Sequence, residues 1–337
     1  MRWTAIAAVA LVVLPAIGWS GFWLYARVRA AGEMDAFLSG KSGLPIQLAC
    51  AQRSIGGYPL DIALNCRDPV VTIAGDAGPV TLRFPRLTMT TRLTNPRDQT
   101  VEFEGPLTAN DARSQTRAEW TSMVVGMRGE VAVADSVLVR GEGVSLTCDG
   151  CSGLLGRVSA RAIEILAQRR GDTTDFTFSL TFNDVSNDAL TALTASKEPA
   201  AFTANGIITQ FELPTSLRFA AETERWRRDG GAIVVERAVL DQAALHAEVA
   251  GRFALDAVHR PTGQFTVGAR NATTLISAFT RGLNPLLQLA IGAALRGIDD
   301  ATAKGGNDLS VRLSGTIENG SLSVGPARGI VTVPPLY

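Results

Sequence analysis

The chain has 337 residues, 46% of them hydrophobic, with 32 basic and 32 acidic side chains, which is material for about two folding units at ~150 residues each. The balanced charge excludes the basic footprint of a nucleic-acid binder, and the apolar content argues against disorder. Two histidines and four cysteines leave little for metal or histidine chemistry.

From Trp3 to Tyr25 the chain runs 23 residues without a charge, and ~20 such residues cross the hydrocarbon layer as a helix. Trp3 stands at one end and Trp19, Trp23 and Tyr25 near the other, as aromatic rings do at headgroup level. Residues 1–30 are therefore expected to be a single transmembrane signal-anchor. The competing reading is a cleaved signal peptide, with Val28-Arg29-Ala30 before Ala31 as its processing site. Arg2 faces Arg27 and Arg29 across the span, so flanking charge does not orient it, but a long body translocates largely regardless of charge. A short cytoplasmic end and an exported body follow.

Cys50 and Cys66 lie 16 positions apart, and Cys148 and Cys151 form C-D-G-C. An even number of cysteines in an exported chain predicts two local disulfides, paired by proximity. Two alternatives stand beside this. A four-thiolate zinc site normally uses two close C-x-x-C pairs, which the first pair does not supply. A redox C-x-x-C would open a helix, whereas Asp149-Gly150 reads as a turn after the strand-like Val144–Thr147.

Beyond residue 40 apolar and polar residues alternate with period two, the mark of strands wet on one face. The clearest run, Phe176, Phe178, Leu180 and Phe182, is interleaved with Thr177, Ser179 and Thr181. Similar alternation recurs at Phe253 and Leu255, at Phe265 and Val267, and at Leu309, Val311 and Leu313. A short helix is expected from a cap at Ser186 or Asn187 to Ala195, ending before Pro199. Residues 273–303 read as a helical segment broken at Pro285 and covering one end of a sheet. Asn319-Gly320 predicts a tight hairpin, since both central residues need positive φ. A boundary near 152–157 divides the body into an N-terminal β region (31–155) carrying both disulfides and a C-terminal β region (156–337). The predicted fold class is mainly β, with antiparallel sheets, curved into a groove or packed as a sandwich, a few short helices and one N-terminal transmembrane helix.

No nucleophile elbow, phosphate loop, H-E-x-x-H or dinucleotide fingerprint occurs. His246 falls in an alternating stretch and His259 in a loop, each without an acid and a nucleophile beside it in sequence. No catalytic, cofactor or metal residue is assigned, and an enzyme is not expected.

Ile55-Gly56-Gly57-Tyr58-Pro59-Leu60, then Asp61 to Cys66, together with Asn319 to Pro326 and Pro334-Pro335-Leu336, resemble the alphaproteobacterial domain-of-unknown-function 2125 (DUF2125) family. Its members open with a membrane segment, a cysteine, a G-Y-P element and a second cysteine, and close with a hairpin and Pro-Pro-Leu. Leu245 to Ala269 also looks like the strand-rich segments of AsmA-like envelope proteins, with Gly251 and Gly263 at the breaks. The resemblance implies a bacterial inner-membrane, single-pass protein with its bulk in the periplasm. A one-sided apolar sheet would there serve as a groove for phospholipid or another acyl-chain ligand, lined by Phe176, Phe178, Leu180, Phe182, Phe253, Leu255, Phe265 and Val267. Binding or transferring lipid for cell-envelope maintenance is the function expected. The alternative is a non-catalytic scaffold that recruits envelope protein partners through sheet edges.

Overall fold

The computed structural model describes residues 2–38, 46–76, 78–112, 114–130, 133–150, 156–212, 218–270, 311–325 and 327–337. Helix α1 (Arg2–Leu38) leads into β1 (Ile46–Ala49), β2 (Gln52–Gly56), β3 (Asp61–Arg67), β4 (Val70–Gly75), β5 (Gly78–Arg83), β6 (Arg86–Arg92) and β7 (Asn95–Glu104). Then come β8 (Leu107–Asn110), β9 (Gln115–Glu119), β10 (Ser122–Glu130), β11 (Val133–Asp149), β12 (Arg157–Arg169), β13 (Phe176–Asn187), α2 (Asp188–Thr194) and β14 (Ala200–Ile208). Helix α3 (Phe219–Arg228) precedes β15 (Ile233–Gln242), β16 (Leu245–Leu255), β17 (Pro261–Arg270), β18 (Val311–Glu318), β19 (Ser321–Val324) and β20 (Ala327–Thr332).

All these strands join one antiparallel sheet that forks at β11. The first half of β11 pairs with β10, which continues through β7, β6 and β3 to β2. Its last five residues pair with β9, which continues through β8, β5 and β4 to β1. The core of this half draws on both branches: Ile62, Cys66 and Val101 from one, Ile73 and Ala118 from the other, with Phe84 between β5 and β6. Phe84 meets Phe103 edge to face at 5.5 Å. The Cys50–Cys66 disulfide ties the end of β1 to β3, one branch to the other, and Cys66 is fully buried. Cys148, on β11, is not a free thiol; its expected partner Cys151 lies outside the described residues.

From β11 onward the sheet is a single ladder in which each strand pairs with the next in sequence, β12 to β20. It runs unbroken past position 155, since β11 and β12 pair from Ser136 with Gln168 to Thr147 with Arg157. Helix α2 forms where its cap was expected: Asn187 Oδ1 accepts from the Leu190 amide at 3.0 Å. The Asn319-Gly320 turn adopts positive φ at both residues, as a two-residue hairpin requires. The helical segment expected over 273–303 lies outside the described residues.

Gly251 and Gly263 do not sit at strand breaks as expected; they lie inside β16 and β17, and the turn between is Asp256 to Arg260. The reason is steric. A Cβ on Gly251 would stand 2.6 Å from Phe265 Cβ, and one on Gly206 2.9 Å from Phe178 Cζ. Glycine here makes room for a cross-strand phenylalanine.

Helix α1 has 37 residues, about 55 Å at ~1.5 Å per residue. Among the described residues no helix is long and apolar enough to cross a membrane; of the expected span Trp3 to Tyr25, the side chains of residues 3–10 and 12 lie outside the described set. Trp23 is more than the headgroup-level ring expected of it. It is 7% exposed, its indole N–H donates to Asp61 O at 2.9 Å, and Tyr58 packs edge-on against it at 5.4 Å. Farther along, Asp35 pairs with Arg53 of β2, so α1 is clasped to the sheet over several turns.

Candidate functional site: an apolar sheet face ending in a cleft

Residues directly opposite in an antiparallel pair share a face, so the register fixes what lies beside what. One row runs Ala167, Phe178, Gly206, Val235, Gly251, Phe265, Gly315 from β12 to β18. The next runs Ile165, Leu180, Ala204, Ala238, Val249, Val267, Leu313. A third continues Phe176, Ile208, Ile233, Phe253, Gly263, Ile317. The register shifts between β14 and β15 and between β15 and β16 fall beside Glu236 and Arg237 and keep the apolar rows aligned. The same face extends into the first branch through Val139, Val125 and Val101.

The opposite face carries cross-strand ion pairs: Arg140 with Glu164 at 2.8 Å, Arg128 with Asp98 at 2.9 Å, Arg237 with Glu248 at 3.2 Å and Arg86 with Glu104 at 3.5 Å. Exposed pairs of this kind contribute little stability; they keep that face wet.

All eight expected groove residues fall on the one apolar face. Phe178, Leu180, Phe182, Phe253, Leu255, Phe265 and Val267 are half-buried. Phe176, 2% exposed, is instead a packed residue: its ring meets Phe211 at 5.5 Å and carries the Arg169 guanidinium at 4.8 Å. Phe253 stacks on Phe265 at 6.0 Å and Phe182 lies 6.0 Å from Phe202, so rings pair at two places along the face.

At one end this face runs into a cleft of about 600 Å³ beneath α3, a size typical of small-molecule pockets. Phe253, Leu255 and Pro261 form its floor and Phe211, Phe219 and Trp226 its roof. Trp226 anchors the roof by donating from its indole to Thr209 O at 2.8 Å. Charge stays at the rim, where Arg225 pairs with Glu222 at 2.6 Å and stands 3.9 Å from Glu212.

The roof is fastened on two sides. The Ala220 amide donates to Asp76 Oδ2 at the tip of the β4–β5 hairpin at 3.2 Å, joining the forked half to the cleft. On the other side Leu336 reaches the cleft, its amide donating to His259 O at 3.0 Å. Tyr337 stacks on the His259 ring at 4.4 Å, meets Phe219 edge-on, and donates from its hydroxyl to Glu224 Oε2 at 3.1 Å. Glu224 also accepts from Arg227 and Arg228. The Arg227 hydrogen bonds, with those from Arg228 and Tyr337, outweigh desolvation and hold the Glu224 carboxyl far below the usual carboxylate range. Burial, then the bond to Glu224, pushes the Tyr337 hydroxyl up.

Neither histidine lacks an acid in space. His246 Nδ1 lies 2.5 Å from Asp241, the residue opposite it in β15, and His259 Nε2 lies 3.3 Å from Glu224. Both contacts bridge strands or elements and are invisible to sequence adjacency. Among the described residues no group of three or more His, Cys, Asp or Glu is placed to hold a metal ion.

Helix α3 and its aromatic residues were not anticipated. The available signal was Glu222 to Arg225 and Glu224 to Arg228, acid before base at helical spacing.

No curated protein matches this chain. Over residues 23–332 it matches the family described as "Uncharacterized protein conserved in bacteria (DUF2125)", which takes in Trp23, the Tyr58 turn, the fork, the ladder and all of the cleft but its Leu336 edge; the chain belongs to the DUF2125 family.

Proposed function

We propose that the protein is a single-span, inner-membrane-anchored periplasmic protein that binds acyl chains on its one-sided apolar sheet, with the cleft under α3 as an end station, and passes lipid on without catalysis of its own. The observation that carries this reading is the register: two apolar rows continue across seven strands and a third across six, yet most of their large side chains other than Phe176 remain half-buried. Apolar surface left in this state gains ~25 cal/mol per Å² when a lipid tail covers it, before the cost of ordering the tail. Aromatic rings laid over glycine give a low floor along which a chain can lie in several registers, which suits transfer better than tight retention. The uncharged run within α1 and its flanking arginines support the anchor.

Native mass spectrometry of the full chain purified in mild detergent tests the binding claim. Co-purifying phospholipid or another acyl lipid is expected; a lipid-free protein overturns it and favours a scaffold working through sheet edges. A C-terminal alkaline phosphatase fusion should be active, and an inactive fusion beside an active cytoplasmic reporter would overturn the periplasmic assignment.

A further inference from the structure

Exposed large apolar side chains among the described residues fall in two places. One is the cleft, lined by Phe219 and Leu336, with Val258 in the turn after β16; the other combines α1 between Leu11 and Val28 with the turn that follows β2. In that turn Tyr58 is 58% and Leu60 54% exposed, an arrangement no neighbouring element of the sheet explains.

The turn is bonded to one face of α1 at a defined height. Trp19 Nε1 donates to Pro59 O at 2.7 Å, Ser20 Oγ and the Tyr58 hydroxyl share a hydrogen bond of 2.9 Å, and Trp23 Nε1 donates to Asp61 O at 2.9 Å. The backbone is built for this approach. Gly57 has φ +99°, a Cβ there would stand 2.6 Å from Asp61 O, and the Asp61 amide closes the turn on Gly57 O at 2.9 Å. Residues 19–23 also fall within the last two turns before the uncharged run ends, and Arg27 beyond it leans over the Trp23 ring at 5.7 Å. Aromatic rings followed by arginine mark the headgroup level of a span, so whatever is bonded directly to residues 19–23 stands at that level too.

We propose that the Tyr58-Pro59-Leu60 turn is a second membrane contact, seated in the headgroup layer of the bilayer that α1 enters, with Phe22 and Tyr25 of α1 in the same layer. The proposal rests on the anchored reading of α1. Its consequence is that the sheet stands on a rigid post, clasped from Trp19 to Asp35, and its first branch is held at the lipid surface. A ring with a polar tip, such as Tyr58, and an aliphatic residue, such as Leu60, are suited to the boundary between headgroups and acyl chains, into which surface-bound apolar groups sink ~5–10 Å.

The test uses the full chain reconstituted into phosphatidylcholine and phosphatidylglycerol vesicles, with an environment-sensitive fluorophore on Leu60→Cys or, as a control, on Asp172→Cys in the exposed β12–β13 turn; background labelling is read on the parent chain. Vesicles carrying headgroup-level nitroxide lipids should remove most of the fluorescence at position 60 and leave position 172 bright, and deep-chain nitroxides should quench position 60 less. A chain that floats with the vesicles but is bright at position 60, or equally quenched at both positions, overturns the proposal and leaves the anchor standing. A chain that does not float with the vesicles overturns the anchor and the proposal together.

Discussion

The two halves of the sheet use the same strand pairing toward different ends. In the forked half, two branches turn apolar side chains toward a shared core, and Cys66, Ile62 and Phe84 are all buried. In the ladder beyond β11 there is no second branch, and Phe178, Leu180 and Val267 occupy equivalent inward positions while staying half-exposed. What separates the two halves is the connectivity at β11, one strand long enough to serve two partners on the same edge.

Substituting phenylalanine in each half should break or sharpen that contrast. Phe84→Ala is expected to cost ~3–5 kcal/mol, as for a packed aromatic, and Phe178→Ala only ~1–2 kcal/mol, since much of its surface is already wet. Denaturant midpoints read both, and equal losses would mean the ladder face is a packed core. Removing the Cys50–Cys66 link with a double alanine variant should cost ~3 kcal/mol, from freeing a loop of ~15 residues, and the loss should be localised by hydrogen exchange to the forked half. Within the ladder, Asn187→Ala should cost ~1 kcal/mol through the lost cap and expose α2 amides without touching the cleft.

The smallest effects belong to the fastening of α3. Tyr337→Phe removes one hydrogen bond to Glu224, typically ~0.5–1.5 kcal/mol at most, and should raise exchange in α3 alone. A carboxyl depressed in the folded state contributes stability that is complete above its unfolded pKa of ~4 and fades only as pH falls through the lower folded value. Exchange protection of α3 should therefore be the same at pH 7 and pH 5 and fall only in stronger acid. Loss of protection already between pH 7 and pH 5 would contradict that assignment.

Features written in short stretches were legible in the sequence. The Asn187 cap, the Asn319-Gly320 turn and the one-sided strands depend on residues a few positions apart or on simple periodicity, and the Cys50–Cys66 pair on a separation of only 16. Three features were not. The same residue types mark a bilayer interface and a docked helix, so Trp23 could not reveal from sequence that it binds the Asp61 carbonyl. Glycine signals a break and also a seat for a ring, and only the register distinguishes Gly251 opposite Phe265 from a turn. The cleft joins Phe253 to Trp226 and Leu336, residues from distant parts of the chain that no local pattern connects.

The central claim, that the ladder face meets lipid and not protein, is tested most directly by Phe178→Asp, with Ser179→Asp on the wet face as control. Circular dichroism melts are paired with mass spectrometry of extracted lipid. On an open face the carboxylate stays partly hydrated, so the account predicts a Phe178→Asp variant that folds and loses its lipid while Ser179→Asp folds and keeps it. A buried unpaired carboxylate would cost several kcal/mol; collapse of Phe178→Asp beside an intact control, or a folded variant that still carries lipid, would contradict the account.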